Sequence, residues 1–150
     1  ILIPIFWGGR AVSFQARDIT GRSPMRYLAC PKAREIIHHK DILYGKQAAW
    51  EAARVMIVVE GVMDVWRLGP WAAATFGVEF RLEQVLAMIK HADRFFIAFD
   101  NEGHAQEQAE KLAVKLHALG RVTTLCPPPG KDPGDMAQDD ANHFVHQLIR

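Results

Sequence analysis

Apolar residues along this chain come in short runs, and the runs alternate between strand-like and helix-like spacing. Val55 to Val59 is unbroken hydrophobic sequence. A run of that length, bounded by turn signals, reads as a strand buried on both faces. Ala72 to Phe76, Arg94 to Phe99 and Arg121 to Leu125 read as three more strands. Helical periods lie between them. Lys46 to Arg54 is alanine-rich and favours helix. Val62 to Leu68 is a helix stopped by Gly69-Pro70. Leu82, Val85, Leu86 and Ile89 mark the inner stripe of Arg81 to Lys90. Ala109, Leu112, Ala113, Leu116 and Leu119 do so for Gly103 to Leu119, which Gly120 caps. The tail from Asp135 to Arg150 ends in a helix with Phe144, Leu148 and Ile149 inward. This alternation predicts an α/β fold, a Rossmann-like parallel sheet flanked by helices.

The first third follows a different pattern. Ile1 to Phe6 is strand-like but contains Pro4, which suits an edge. Gly8-Gly9 is a hairpin turn, and Arg10 to Arg17 returns with Val12, Phe14 and Ala16 on one face. Asp18 to Pro24 is loop. Tyr27 to Lys32 is a short extended piece, and Ala33 to Gly45 reads mostly as loop with one helical turn near Lys40. The expected division is residues 1–50, the end of a β-rich basic segment, and 51–150, the α/β domain with its C-terminal helix. The chain begins inside a strand and without Met, which suggests a piece of a longer protein.

Charge sharpens the division. Up to residue 54 there are nine basic and four acidic residues, an excess of five, whereas the whole chain carries only +1. A basic front and an acidic back suit a polyanion on one side and cations on the other. No apolar run approaches the roughly 20 residues of a membrane span, so no membrane role is expected. Cys30 and Cys126 form no metal-ligand spacing, and a reducing cytoplasm is the expected setting.

The acids fall at strand ends. Val59 leads into Glu60, with Asp64 one helical turn beyond. Phe99 leads into Asp100-Asn101-Glu102. Leu125 leads through a proline-rich turn to Asp132 and Asp135. Open parallel sheets gather their chemistry at these carboxyl ends. Two carboxylates 4 Å apart repel by about 4 kcal/mol at an effective dielectric of 20. Protons or a divalent cation must compensate, and oxygen-only ligands favour Mg²⁺ or Mn²⁺.

The segments VVEGVMDV (Val58 to Val65), AFDNEG (Ala98 to Gly103) and PPGKDPGD (Pro128 to Asp135) together resemble the Toprim domain of bacterial-type primases, topoisomerases and some nucleases. The Lys131-Asp132-Pro133 signature and AATFG (Ala73 to Gly77) are similar to the primase branch. The stretch from Ser13 to Leu28, followed by His39-Lys40 and Leu43-Tyr44-Gly45, is similar to the segment before Toprim in phage and mobile-element primases. That resemblance implies a nucleotidyltransferase, a DNA primase catalytic fragment that makes RNA primers for replication. It implies Glu60 as the catalytic acid that handles the proton at a 3′-hydroxyl. Metal ligation is implied for Glu60, Asp64, Asp100, Glu102, Asp132 and Asp135, with Mg²⁺ or Mn²⁺ as the ion. Arg17, Arg26 and Lys40 are implied to face nucleic acid or nucleotide. The implied partners are a single-stranded DNA template, nucleoside triphosphates and an RNA primer. Such proteins often carry a zinc-binding domain before this region and a replicative helicase after it. A Toprim nuclease and a non-catalytic nucleic-acid-binding Toprim module are the alternatives.

Four positions depart from the family pattern. Glu102 replaces the second Asp of the usual pair, and His104 follows where small residues are commoner. Gly134 stands where an acid or Asn is frequent. The spacing from Lys40 to Leu43 is one residue short. The pairs His38-His39 and His143/His146 show no partner ligand in sequence. Trp7, Trp50, Trp66 and Trp71 read as packing residues rather than stacking platforms for bases.

Overall fold

The structure, a computed structural model, describes all 150 residues. Two sheets make up the chain. The smaller is antiparallel, in the order β1 (Leu2–Trp7), β2 (Arg10–Arg17), β3 (Tyr27–Ala29). Pro4 lies in β1, at the sheet edge where its missing N–H costs no ladder bond. The larger sheet has the order β4-β6-β5-β7-β8, from β4 (Tyr44–Gly45), β5 (Val55–Val59), β6 (Ala72–Ala74), β7 (Arg94–Ile97) and β8 (Val122–Leu125). Its last four strands run parallel, and β4 pairs antiparallel with β6. The helices are α1 (Gln47–Ala53), α2 (Val62–Leu68), α3 (Leu82–His91), α4 (Gly103–Ala118) and α5 (Gln138–Leu148).

The continuous apolar runs are explained by burial on both faces. Met56 and Val58 of β5 enter one core with Phe95 and Ile97, against α1, α3 and α4. Ile57 and Val59 enter the other with Phe96 and Ala98, against α2 and α5. Successive strand residues point to opposite faces, so a strand between two helical layers has no polar position. A third, small cluster of Ile5, Val12 and Ile42 joins the two sheets, with Trp7, Tyr44 and Phe76 packed against it.

Several expectations need correction. The stripe on α3 is rotated: Val85 is buried, but Leu82 and Leu86 are exposed, and Gln84, Met88 and His91 point inward instead. Polar partners decide this. Gln84 Nε2 donates to the carbonyls of Ile42 (3.0 Å) and Thr75 (2.9 Å), so a buried amide is fully engaged. Leu119 and Trp66 are about half exposed rather than packed. Trp66 Nε1 donates to the Tyr44 hydroxyl at 2.8 Å, which holds the ring at the surface. In β2 the alternation is blurred, because Val12 and Ser13 are both buried.

β4 lies in a segment read as loop. Gly45 permits it: at φ +147° a Cβ would come within 2.4 Å of the Trp50 ring and 2.5 Å of the Ala72 carbonyl. The division expected after residue 50 falls within α1, whose Trp50 is fully buried in the core of the larger sheet.

Candidate metal centre and nucleic-acid wall

Glu60 leaves the end of β5, and its carboxylate crosses to the neighbouring strand end. Glu60 Oε1 accepts the Asp100 amide at 3.0 Å, and the Glu60 carbonyl accepts the Gly77 amide at 2.8 Å. The first three strand ends are thereby tied together. Burial pushes the Glu60 carboxyl above the ordinary carboxylate range, against the Asp100 amide bond that lowers it; Glu102 and Asp132 push it further up.

Asp64 sits in the first turn of α2 and is 7% exposed. Its Oδ2 accepts the Gly61 amide at 2.8 Å, and its Oδ1 accepts the Gly134 amide at 3.1 Å. One carboxylate thus brackets the Glu60 turn and the turn after β8. Burial raises its pKa to about 6 despite both hydrogen bonds. The unusual Gly134 fits this contact: a Cβ there would lie 2.9 Å from Asp64 Oδ1 and 3.1 Å from Asp132 Oδ1. Asp132 Oδ1 accepts the Asp135 amide at 2.9 Å and caps the short turn Pro133–Asp135.

Asp100 is the most perturbed of the acids. Its amide and carbonyl are hydrogen-bonded, but its carboxylate accepts no bond from the chain. Burial, then the charges of Glu60, Asp64, Asp132 and Glu102, raise its pKa to about 7. Glu102 behaves differently. It opens α4 at the surface and pairs with Lys131 at 2.9 Å, both side chains being more than half exposed.

Glu60, Asp64, Asp100, Asp132 and Asp135 line one cavity of about 460 Å³. The opposite wall comes from the small sheet: Gln15 and Arg17 of β2, then Arg26 and Tyr27 at β3. Arg17 hydrogen-bonds the Tyr27 hydroxyl and lies 5.0 Å from that ring's centroid, which fixes the guanidinium on the wall. Gln15, Tyr27 and Phe76 were not anticipated as lining residues. Glu102 and Lys40 do not line the cavity. Lys40 Nζ instead donates to the carbonyls of Thr75 (3.2 Å), Phe76 (3.1 Å) and Glu79 (2.8 Å). It clamps the loop after β6, where Phe76 takes φ +61°, a strained conformation for a non-glycine residue. Burial and the nearby Arg81 lower the Lys40 pKa. His104 does not line the cavity; it is exposed and lies 3.4 Å from Glu79.

The donor chemistry fits a hard divalent cation: these are oxygen ligands, mutually repelling, with no arginine or lysine among them. No three of these carboxylates bring oxygens within 4.8 Å of one another. Mg²⁺ keeps several waters and takes only one or two carboxylates directly, which suits such spacing.

A family model described as Toprim-like matches residues 57–137, more than half of the chain. The chain belongs to the Toprim-like family. The matched segment of this Toprim-like protein runs from β5 to the turn after β8 and includes every one of the acids above. A DNA primase of Pasteurella multocida (strain Pm70) is 24% identical over 153 residues, covering 95% of this chain and 26% of that protein. The Aquifex aeolicus primase structure, with zinc-binding and RNA polymerase domains, has a TM-score of 0.81 at 22% identity, covering 99% of this chain and 39% of that one. A DnaG primase catalytic domain bound to ssDNA has a TM-score of 0.78 at 23% identity, covering 97% of this chain and 50% of that one. The chain therefore spans a quarter to a half of these relatives, and it shares its fold with primase catalytic cores. No helix is long and apolar enough to cross a membrane.

Proposed function

We infer that this chain is the metal-binding portion of a primase catalytic core, and that its parent protein joins ribonucleotides on a single-stranded DNA template. One observation carries the reading: five carboxylates face Arg17 and Arg26 across a single cavity. The likeness to a primase domain bound to ssDNA supports the choice of template. Arg17 and Arg26 bind phosphates of template, primer or incoming triphosphate, contacts that position nucleic acid without reading its sequence. Asp100, Asp132 and Asp135 are the carboxylates that would hold Mg²⁺ or Mn²⁺. Bound there, such an ion would supply the positive charge that phosphoryl transfer needs.

Glu60 takes the proton from the primer 3′-hydroxyl as it attacks the α-phosphate, and pyrophosphate leaves. A carboxyl raised by burial is the better base for that step. Asp64 acts as a positioning residue that keeps the Glu60 and Asp132 turns in register. Glu102, paired with Lys131, would be available as a further ligand if that pair opened. Lys40 acts through the Thr75–Glu79 loop and not by direct phosphate contact.

Incubating the parent protein with ssDNA, labelled ribonucleotides and Mg²⁺ or Mn²⁺ tests this. Alkali-labile products on an uncut template are expected. Shortened DNA would favour a nuclease, and DNA binding without any product would leave a non-catalytic binding module.

A further inference from the structure

Glu35, His38 and His39 lie between β3 and β4, outside the acidic cavity, and offer ligand atoms all within 4.8 Å of one another. Glu35 Oε1 is 2.6 Å from His39 Nδ1, and Glu35 Oε2 is 3.5 Å from His38 Nδ1. The Glu35 side chain is 2% exposed, against 23% for His38 and 12% for His39. A carboxylate this little exposed needs hydrogen bonds or positive charge beside it; against the cost of burial, bonds to Ser13 and His39 hold the Glu35 carboxyl below its ordinary range. Its only ion-pair partners are the two imidazoles. Its remaining contacts are neutral: the Ser13 hydroxyl donates at 2.7 Å and the His39 amide at 3.2 Å. Both Glu35 oxygens are directed at the two imidazole nitrogens, which leaves the three groups converging on one small volume.

We propose that Glu35, His38 and His39 form a site for a zinc-type divalent transition ion, separate from the oxygen-only cluster at the strand ends. Two imidazoles and one carboxylate are a donor set that such ions take, with a fourth position left for water. Bonds of about 2.0–2.1 Å in tetrahedral geometry put ligand atoms about 3.3 Å apart. Glu35 Oε2 is already near that value from His38 Nδ1 at 3.5 Å, while His39 Nδ1 faces the other oxygen, so ligation through one oxygen requires the Glu35 carboxylate to rotate. The Glu35–His39 pair opens by roughly 0.7 Å as the proton between them is released to solvent. His38 Nδ1 also exchanges the hydrogen bond it accepts from the Lys40 amide for the ion. The consequence reaches the cavity indirectly. The His39 ring packs edge-on at 5.3 Å from Phe76, which lines the cavity, and Lys40 beside it clamps the same loop. The occupied site braces that wall without touching the acids.

Titration of the 150-residue chain with Co²⁺ in excess Mg²⁺ tests the proposal. Imidazole-ligated four-coordinate Co²⁺ absorbs visibly and strongly, whereas oxygen-only six-coordinate Co²⁺ absorbs weakly. A strong band saturating at a single ion per chain is expected. It survives Asp100→Asn, and in His38→Gln the affinity falls at least about ten-fold. His38 is the most exposed of the three ligands, and circular dichroism verifies that His38→Gln folds. Nitrogen NMR of the unsubstituted chain with Zn²⁺ reads ligation directly, through shifts of the His38 and His39 ring nitrogens. Loss of the band in Asp100→Asn, its unchanged affinity in folded His38→Gln, or the absence of both band and ring shifts overturns the proposal.

Discussion

Asp100→Asn is expected to make the metal-free chain more stable while removing its response to Mg²⁺. The Asp100 carboxyl is raised from 3.8 to about 7, first by burial and then by four neighbouring carboxylates. Folding therefore favours its protonated form. Stability from this group is complete below about pH 4 and is lost as pH rises to about 7, so at pH 8 the ionised Asp100 is a full penalty. Three pKa units correspond to about 4 kcal/mol. Asp100 is partly open to solvent, and screening reduces the penalty to about 1–2 kcal/mol. Asn has nearly the same shape and no charge, and no donor in the chain depends on the lost oxygen. At about 2–4 °C per kcal/mol for a chain of this size, Asp100→Asn melts roughly 2–8 °C higher than wild type at pH 8 in EDTA. The gain disappears near pH 4. Mg²⁺ at a hundred times its Kd raises wild type by about 2.7 kcal/mol. That response is expected to vanish in Asp100→Asn. Calorimetry at pH 4 and pH 8, with EDTA and with Mg²⁺, measures all four quantities. A lower melting temperature for Asp100→Asn at pH 8 in EDTA, or an equal Mg²⁺ response in the two proteins, would refute the electrostatic account of the acidic cavity.

Other substitutions probe the supports of the site. Lys40→Met removes three charge-assisted bonds to the loop after β6 and is expected to cost about 1–3 kcal/mol. Amide exchange at Gly77 should speed up selectively; unchanged exchange there would place Lys40 outside the loop clamp. Gly45→Ala drives a Cβ into Trp50 and the Ala72 carbonyl, so the urea midpoint should fall by about 2–4 kcal/mol equivalent with an unaltered slope. Gly134→Ala displaces Asp64 from the Gly134 amide, and Mg²⁺ affinity by calorimetry should weaken several-fold while the melting temperature drops by only a few degrees. Equal Mg²⁺ affinity would remove Asp64 from its positioning role.

The parallel sheet was readable because three of its strands, β5, β6 and β7, are buried on both sides, whereas the edge strand β8 is largely exposed. Val55 to Val59 and Phe95 to Phe99 had no polar residue to disguise the run, and helices of ordinary spacing separated them. The strand-end acids were readable for the same reason: a carboxylate directly after a buried run has only the sheet edge to occupy. What escaped notice depends on contacts between distant segments. β4 is two residues long and is allowed by a glycine whose partners, Trp50 and Ala72, come later in the chain. Gln84 turns α3 about its axis by bonding two carbonyls that no local pattern reveals. Lys40 was expected to face nucleic acid or nucleotide, and its ammonium is taken up by carbonyls 35 to 39 residues away. Tyr27 and Gln15 reach the cavity only because the small sheet folds over the large one. The His38-His39 pair looked idle because its acid, Glu35, belongs to a segment read as loop. The spacing of three and four residues from Glu35 was the available signal.

The most direct test is ribonucleotide incorporation by the parent protein and its Glu60→Gln variant, at matched ssDNA binding. Wild type is expected to extend RNA on ssDNA with Mg²⁺ or Mn²⁺. Glu60→Gln, with its fold and ssDNA affinity unchanged, is expected to fall by about 10²–10⁴-fold. Undiminished incorporation by Glu60→Gln, or wild-type protein that binds ssDNA and only cuts it, would contradict the assignment of this cavity to primer synthesis.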